Sequence, residues 1–310
     1  MIPPSPTLRL ATLVVGCLAA FSAERGHGQE GERFVPQFVP GKVYLYSSET
    51  DVVMQVPSKD GGKSERRVMM AHEAKLATAP RADGPGAVID ASTERLQFKV
   101  ASGEKEMRYD SSDESTKGSA IGQHFEGARH RTVTIEVDDT PKIVKSEEKG
   151  GGGPATPLPG MPQFGQDELK QLVSGLLQGF SPDPVKPGAE WTQKGKRSLG
   201  QFGEMDFEIT YLYKGDEDRD GAACAVIEFK GDLKGDVAVA GAQPGSDGGK
   251  LGFEGRKLEG RIVFDKLRRA VRESEQTVNL TVQVPSPGGG TFSLPMSQKV
   301  TVKLISLQDA

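Results

Sequence analysis

The sequence predicts a mainly β chain built as two duplicated antiparallel curved sheets or half-barrels, with one amphipathic helix between them. Three observations carry that expectation. Apolar residues alternate with polar ones over long stretches, the period that turns one face of a strand inward. Turn-forming residues punctuate those stretches at Lys59-Asp60-Gly61-Gly62, Asp83-Gly84-Pro85-Gly86, Ser102-Gly103 and Asp220-Gly221. Composition agrees, because 39 Gly, 20 Pro and a hydrophobic fraction of 35% suit strands joined by many turns better than a compact α/β core.

The alternating stretches in the first half are Lys42 to Val56, Arg67 to Ala77, Ala87 to Val100 and Arg131 to Val137. In the second half they are Asp206 to Tyr213, Ala222 to Lys230, Gly260 to Phe264, Thr277 to Val284 and Lys299 to Leu307. Short polar turns between consecutive strands imply hairpins and meanders, with no room for βαβ crossovers. Long strands of this kind belong to curved sheets or open barrels.

Between the halves, Lys149 to Gly165 holds a four-glycine run and four prolines, which is linker composition. It leads into Gln166 to Phe180, where Leu169, Leu172, Val173, Leu176, Leu177 and Phe180 fall on one helical stripe. Pro182 and Pro184 end that helix. Gly175 and Gly179 form a G-x-x-x-G pair that lets the helix lie close to a sheet, so the stripe is expected to pack on a sheet face. A membrane-surface helix is the weaker alternative, because the polar face is not basic.

The two halves repeat one another. Val39-Pro40-Gly41-Lys42-Val43-Tyr44 and Val185-Lys186-Pro187-Gly188-Ala189-Glu190-Trp191 both run Pro-Gly-x-x-aromatic into a strand. Val137-Asp138 is followed by Ile143-Val144-Lys145, and Phe264-Asp265 by Ala270-Val271-Arg272 at the same offset. The expected organisation is a signal peptide over 1–28, a first β-unit over 29–148, linker and helix over 149–184, and a second β-unit over 185–310.

The N-terminus reads as an export signal. Arg9 supplies positive charge, Leu10 to Ala20 is apolar, and Gly26-His27-Gly28 is a small-x-small cleavage site. Val14-Val15-Gly16-Cys17 also matches a lipobox, which makes Cys17 a lipidation candidate and the chain a candidate lipoprotein. The plainer reading is a cysteine inside the apolar stretch, which continues through Leu18 to Phe21. Downstream only Cys224 remains, so no internal disulfide is expected; its apolar surroundings suit a buried small side chain.

The Pro182 to Trp191 run, the Gly260-Arg261-Ile262-Val263-Phe264-Asp265 strand and the leader together resemble uncharacterised exported β-rich domain-of-unknown-function proteins of planctomycete-type bacteria. That resemblance implies an exported β-rich chain of the periplasm or cell envelope and transfers no activity. In architecture, helix-capped curved sheets are similar to half-barrel carriers of lipids and lipoproteins, a likeness of form that does not establish function.

Catalytic patterns are sparse. There is no G-x-S-x-G, H-E-x-x-H, P-loop or strand-linked G-x-G-x-x-G motif. The net charge of −4, with both signs interspersed, gives no basic face for nucleic acid. His124, Glu126 and His130 could converge on one metal but lack further ligands; the competing reading is loop histidines in a Gly-rich connection. Asp216, Asp218 and Asp220, followed by Gly221, form the first half of a calcium loop. Position twelve is Ile227, with Glu228 one late, so the competing reading is an acidic hairpin tip.

The function this favours is a non-enzymatic exported binding or carrier module for an apolar ligand or lipid, without a cofactor unless calcium. A structural or protein-interaction scaffold of the envelope comes second. A carboxylate-dependent enzyme on polysaccharide comes last, because Trp191 is the only tryptophan and aromatics total 6%.

Overall fold

The structure, a computed structural model, describes residues 31–57, 62–129, 132–149, 166–198, 204–234, 237–238, 250–285 and 291–310. The first half contributes β1 (Lys42–Pro57), β2 (Lys63–Pro80), β3 (Gly86–Ser102), β4 (Lys105–Asp110), α1 (Glu114–Lys117), α2 (Ala120–Arg129), β5 (Thr132–Asp138) and β6 (Ile143–Lys149). After α3 (Gln166–Leu177), the second half contributes β7 (Glu190–Ser198), β8 (Glu204–Arg219), β9 (Ala222–Lys234), β10 (Val237–Ala238), β11 (Lys250–Asp265), β12 (Ala270–Pro285) and β13 (Thr291–Asp309).

The strand order is β6-β5-β3-β2-β1-β13-β12-β11-β9-β8-β7, with β4 paired to β3 and β10 to β11, and every pairing is antiparallel. The mainly antiparallel β expectation holds. The two expected units are joined, however, because β13 pairs with both β1 and β12 and makes one continuous sheet. One sheet has two unpaired edges where two separate sheets would have four, and unpaired edges invite aggregation.

The order β6-β5-β3-β2-β1 has its counterpart in β12-β11-β9-β8-β7, with β13 added between them. The Pro-Gly lead-ins match as well. Gly41 and Gly188 both adopt positive φ, 79° and 86°, and the turns close through Lys42 N–H to Val39 O and Ala189 N–H to Lys186 O. The left-handed conformation explains the glycine at both places.

Side chains on one face, here called inner, build the core. Tyr44, Tyr46, Leu76, Ile89, Ile135, Tyr211, Ile227 and Phe264 are buried there. A second cluster of Leu96, Phe98, Val100, Tyr109, Ile121 and Phe125 sits where α2 covers β3 and β4. The inner face curls. α3 rests on β3, β5 and β6, while Phe180, just beyond it, packs its ring at a tilt on Phe264 and accepts a hydrogen bond through its carbonyl from Gln193 Nε2 of β7 at 2.9 Å. Opposite ends of the strand order thus meet one short stretch of chain.

The predicted helix stripe is buried as expected: Leu169, Leu172, Val173, Leu176 and Phe180. Each contributes about 1.5–3 kcal/mol of apolar burial. The helix ends at Leu177, earlier than expected, because Gly179 takes φ 91° and turns the chain. The glycine pair divides. A Cβ on Gly179 would lie 2.7 Å from Ile262 Cδ1, so that glycine permits close approach, whereas Gly175 is exposed with nothing near it.

Candidate functional site along the inner face

Antiparallel register fixes which side chains share a face, since directly paired residues point the same way. Three consecutive rows cross the middle of the inner face. The first is His72, Ser48, Val302 and Ser274, on β2, β1, β13 and β12 in turn. Next come Met70, Thr50, Val300 and Gln276, then Val68, Val52, Gln298 and Val278. A fourth row, Arg66, Met54, Met296 and Leu280, adds more apolar surface and the first charged side chain.

These rows differ from the helix-covered core. α3 packs on β3, β5 and β6 and α2 on β3 and β4, while Val52, Met54, Leu294 and Val302 pack against the core yet remain half-buried. Ser48, Thr50, Ser274, Gln276 and Gln298 are also half-buried, and none has a hydrogen bond from its side chain to another described residue. The three rows carry no Asp, Glu, Lys or Arg. His72 is buried with Nε2 2.9 Å from Thr93 Oγ1, and burial pulls its pKa down to about 4, so the imidazole is neutral at ordinary pH. The strip is therefore an uncharged surface, apolar at one end and rich in unanswered hydroxyl and amide groups at the other.

The outer face of the same strands is a charge ladder. Lys299 pairs with Glu275 at 3.0 Å and Lys303 with Glu273 at 3.6 Å, and the ladder goes on past them in Arg261 of β11, which pairs with Glu217 of β8 at 2.6 Å. A half-open cavity of about 550 Å³ lies on that side, floored by Leu212 and Val263 and walled by Glu190, Glu228, Arg261 and Glu275. Glu228, Arg261, Glu273 and Glu275 of its lining pair with Lys214, Glu217, Lys303 and Lys299 on other strands, as charges on a solvated sheet face do.

The calcium candidates are put to separate uses. Asp216 accepts hydrogen bonds from Tyr213 Oη and Lys266 Nζ, each at 2.6 Å. Asp218 Oδ1 accepts from Gly221 N at 3.0 Å, and Asp220 pairs with Arg272. Among the described residues, no three His, Cys, Asp or Glu side chains gather as a metal cage requires. The connection holding His124 and Glu126 is helix α2, not a loop, and Glu126 accepts from Tyr109 Oη at 2.6 Å. Gly122 made that helix hard to read. A Cβ there would lie 2.3 Å from Thr116 O, so the glycine lets α2 lie against α1. His130 and Cys17 lie outside the described residues. Cys224 is fully buried, and burial raises its thiol pKa.

Sequence reasoning did not single out the strip, although a signal was present. In β1 the inward phase reads Tyr44, Tyr46, Ser48, Thr50, Val52, Met54, and in β12 Ser274, Gln276, Val278, Leu280. Polar side chains on a phase that should be apolar mark a place where the core is interrupted, since Val278 and Leu280 beyond them are buried again.

No family model matches the chain, and no curated protein matches it. Among solved structures it is similar to a chain of lipovitellin, from a structure described as showing lipid–protein interactions. The TM-score is 0.47 and the identity 13%, over 88% of this chain and 26% of that one. This chain thus spans about a quarter of the lipovitellin chain's length. Nothing about a ligand follows from a likeness at that level. Among the described residues, no helix is long and apolar enough to cross a membrane.

Proposed function

We propose that the chain is an exported, non-catalytic binding or carrier module of the bacterial cell envelope that takes an apolar ligand on the inner face of its sheet. The observation that carries this reading is the half-buried apolar surface of Val52, Met54, Leu294 and Val302, continuous with the core. Apolar surface left half-exposed beside a core marks a place where a ligand or partner can bury it. The export part of the reading rests on the leader read in residues 1–28 and is checked by the intact mass of the processed protein.

The binding part is tested by purifying the protein from its native host, extracting it with organic solvent and identifying the extract by mass spectrometry. A stoichiometric apolar compound is the expected result. A protein that yields none, and that also fails to take up a hydrophobic dye, would overturn the proposal.

A further inference from the structure

We infer that the ligand is an uncharged amphiphile, with a hydrogen-bonding but non-ionised head group over Ser48, Thr50, Ser274, Gln276 and Gln298 and a hydrocarbon portion over Val52, Met54 and Val68. This inference rests on the reading proposed above and adds the chemical class. It follows from three features of the strip. Its five polar side chains are half-buried and make no side-chain hydrogen bond with another described residue, so they are available to an incoming group. Hydroxyls and primary amides both donate and accept, so they suit an alcohol, ester or carbonyl equally well. No cation stands in the three rows to receive a carboxylate or phosphate, and the one titratable group there, His72, is neutral and already turned to Thr93.

An ionised head in this place would lose its water without gaining a counter-charge, which is strongly unfavourable. A pure hydrocarbon would leave the amides of Gln276 and Gln298 desolvated and unpaired, which is also unfavourable. A neutral polar head avoids both penalties. The polar groups lie beside the packed core, with Ser274 opposite Ile262 and Ser48 one row from Tyr46. The half-buried hydrocarbon surface lies farther along β1 and β2, at Val52, Met54 and Val68, beside Met296 and Leu280, which are already buried in the core. The head is therefore held inward and the chain runs toward the far strand ends.

The test uses three fluorescent probes that share a pyrene and a twelve-carbon chain: 1-pyrenedodecanol, 12-(1-pyrenyl)dodecanoic acid and 1-dodecylpyrene. Binding to the full chain is titrated at pH 8, where the acid is ionised. The expected order is alcohol tightest, with the acid and the hydrocarbon each at least about tenfold weaker, the scale of one unpaired buried polar or charged group. In the Gln276→Leu, Gln298→Leu double variant the alcohol should lose its advantage over the hydrocarbon. Should that variant not fold, judged by its thermal melt, Ser48→Ala with Ser274→Ala makes the same test with smaller side-chain changes.

Acid binding as tightly as the alcohol, or hydrocarbon binding as tightly, overturns the assignment of ligand class while leaving the apolar site standing. An advantage of the alcohol that survives in the folded variant overturns the placing of the head group. If none of the three binds, the proposed function fails and the inference with it.

Discussion

The inner face of the sheet holds two regions of the same origin and opposite character. Under α3 the strands are dry: Leu169, Val173, Leu176, Ile135 and Leu76 leave almost no surface to water. Across the middle of β1, β13 and β12 the same inward phase is interrupted by half-buried Ser48, Thr50, Ser274, Gln276 and Gln298, before it is buried again at Val278, Leu280 and Met296. The difference teaches where stability and recognition are divided. The region under α3 holds the fold, and the strip, which no described helix covers, is left with contacts to exchange.

Substitution should expose that contrast. Val173→Asp places a carboxylate in a fully buried position and should cost about 4 kcal/mol or more, enough to unfold the protein. Thr50→Asp, on the half-buried strip, keeps its carboxylate in contact with water while no ligand is bound and should cost far less, about 1 kcal/mol. Urea unfolding of the two variants compares them directly, and equal losses would erase the distinction between the regions.

Acid should act through His72, which sits between the two regions. Its folded pKa of about 4 lies below the ordinary value of 6.5 because burial disfavours the cation. The unfolded chain therefore binds the proton more readily. The resulting stability is fully present above pH 6.5 and is lost as pH falls from there toward 4, by roughly 3 kcal/mol in all. Unfolding curves at pH 7 and pH 4.5 should show the loss, and His72→Leu should flatten this part of the pH dependence.

A smaller effect is expected where the helix leaves the covered region. Gly179→Ala forces an L side chain into φ 91° and toward Ile262 and Tyr211, at a cost of about 1–3 kcal/mol. The smallest effect belongs to the outer face. Lys299→Ala breaks a solvent-exposed pair with Glu275 and should change stability by less than about 1 kcal/mol. A larger loss there would mean that the outer ladder, and not the covered core, carries the fold.

Much of this was legible in the residues. Alternation located β1, β2, β3, β5, β8, β9, β11, β12 and β13, because a half-buried strand needs that period. The α3 stripe was legible for the same reason at helical period. The joining of the halves was not, because pairing of β13 with β1 spans nearly the whole chain and no local pattern encodes it. α2 was obscured by Gly122 and Gly127, residues that weaken a helical pattern. The strip was visible as misplaced polar residues, but its meaning depends on which face of each strand is inward. That face is set by register and by the bulges, such as the one between Glu73 and Ala74 that keeps Ile89 and Phe98 on one side.

The central claim, that a ligand occupies the inner face across β1, is tested most directly by thiol protection at two adjacent positions. Glu49 and Thr50 are neighbours whose side chains point to opposite faces. Native Cys224 is buried and leaves little background. Labelling of Thr50→Cys and Glu49→Cys is timed by peptide mass with and without saturating 1-pyrenedodecanol. Slowing at Thr50→Cys with no change at Glu49→Cys is the predicted result. Equal rates at both positions, with the probe demonstrably bound, would contradict the account.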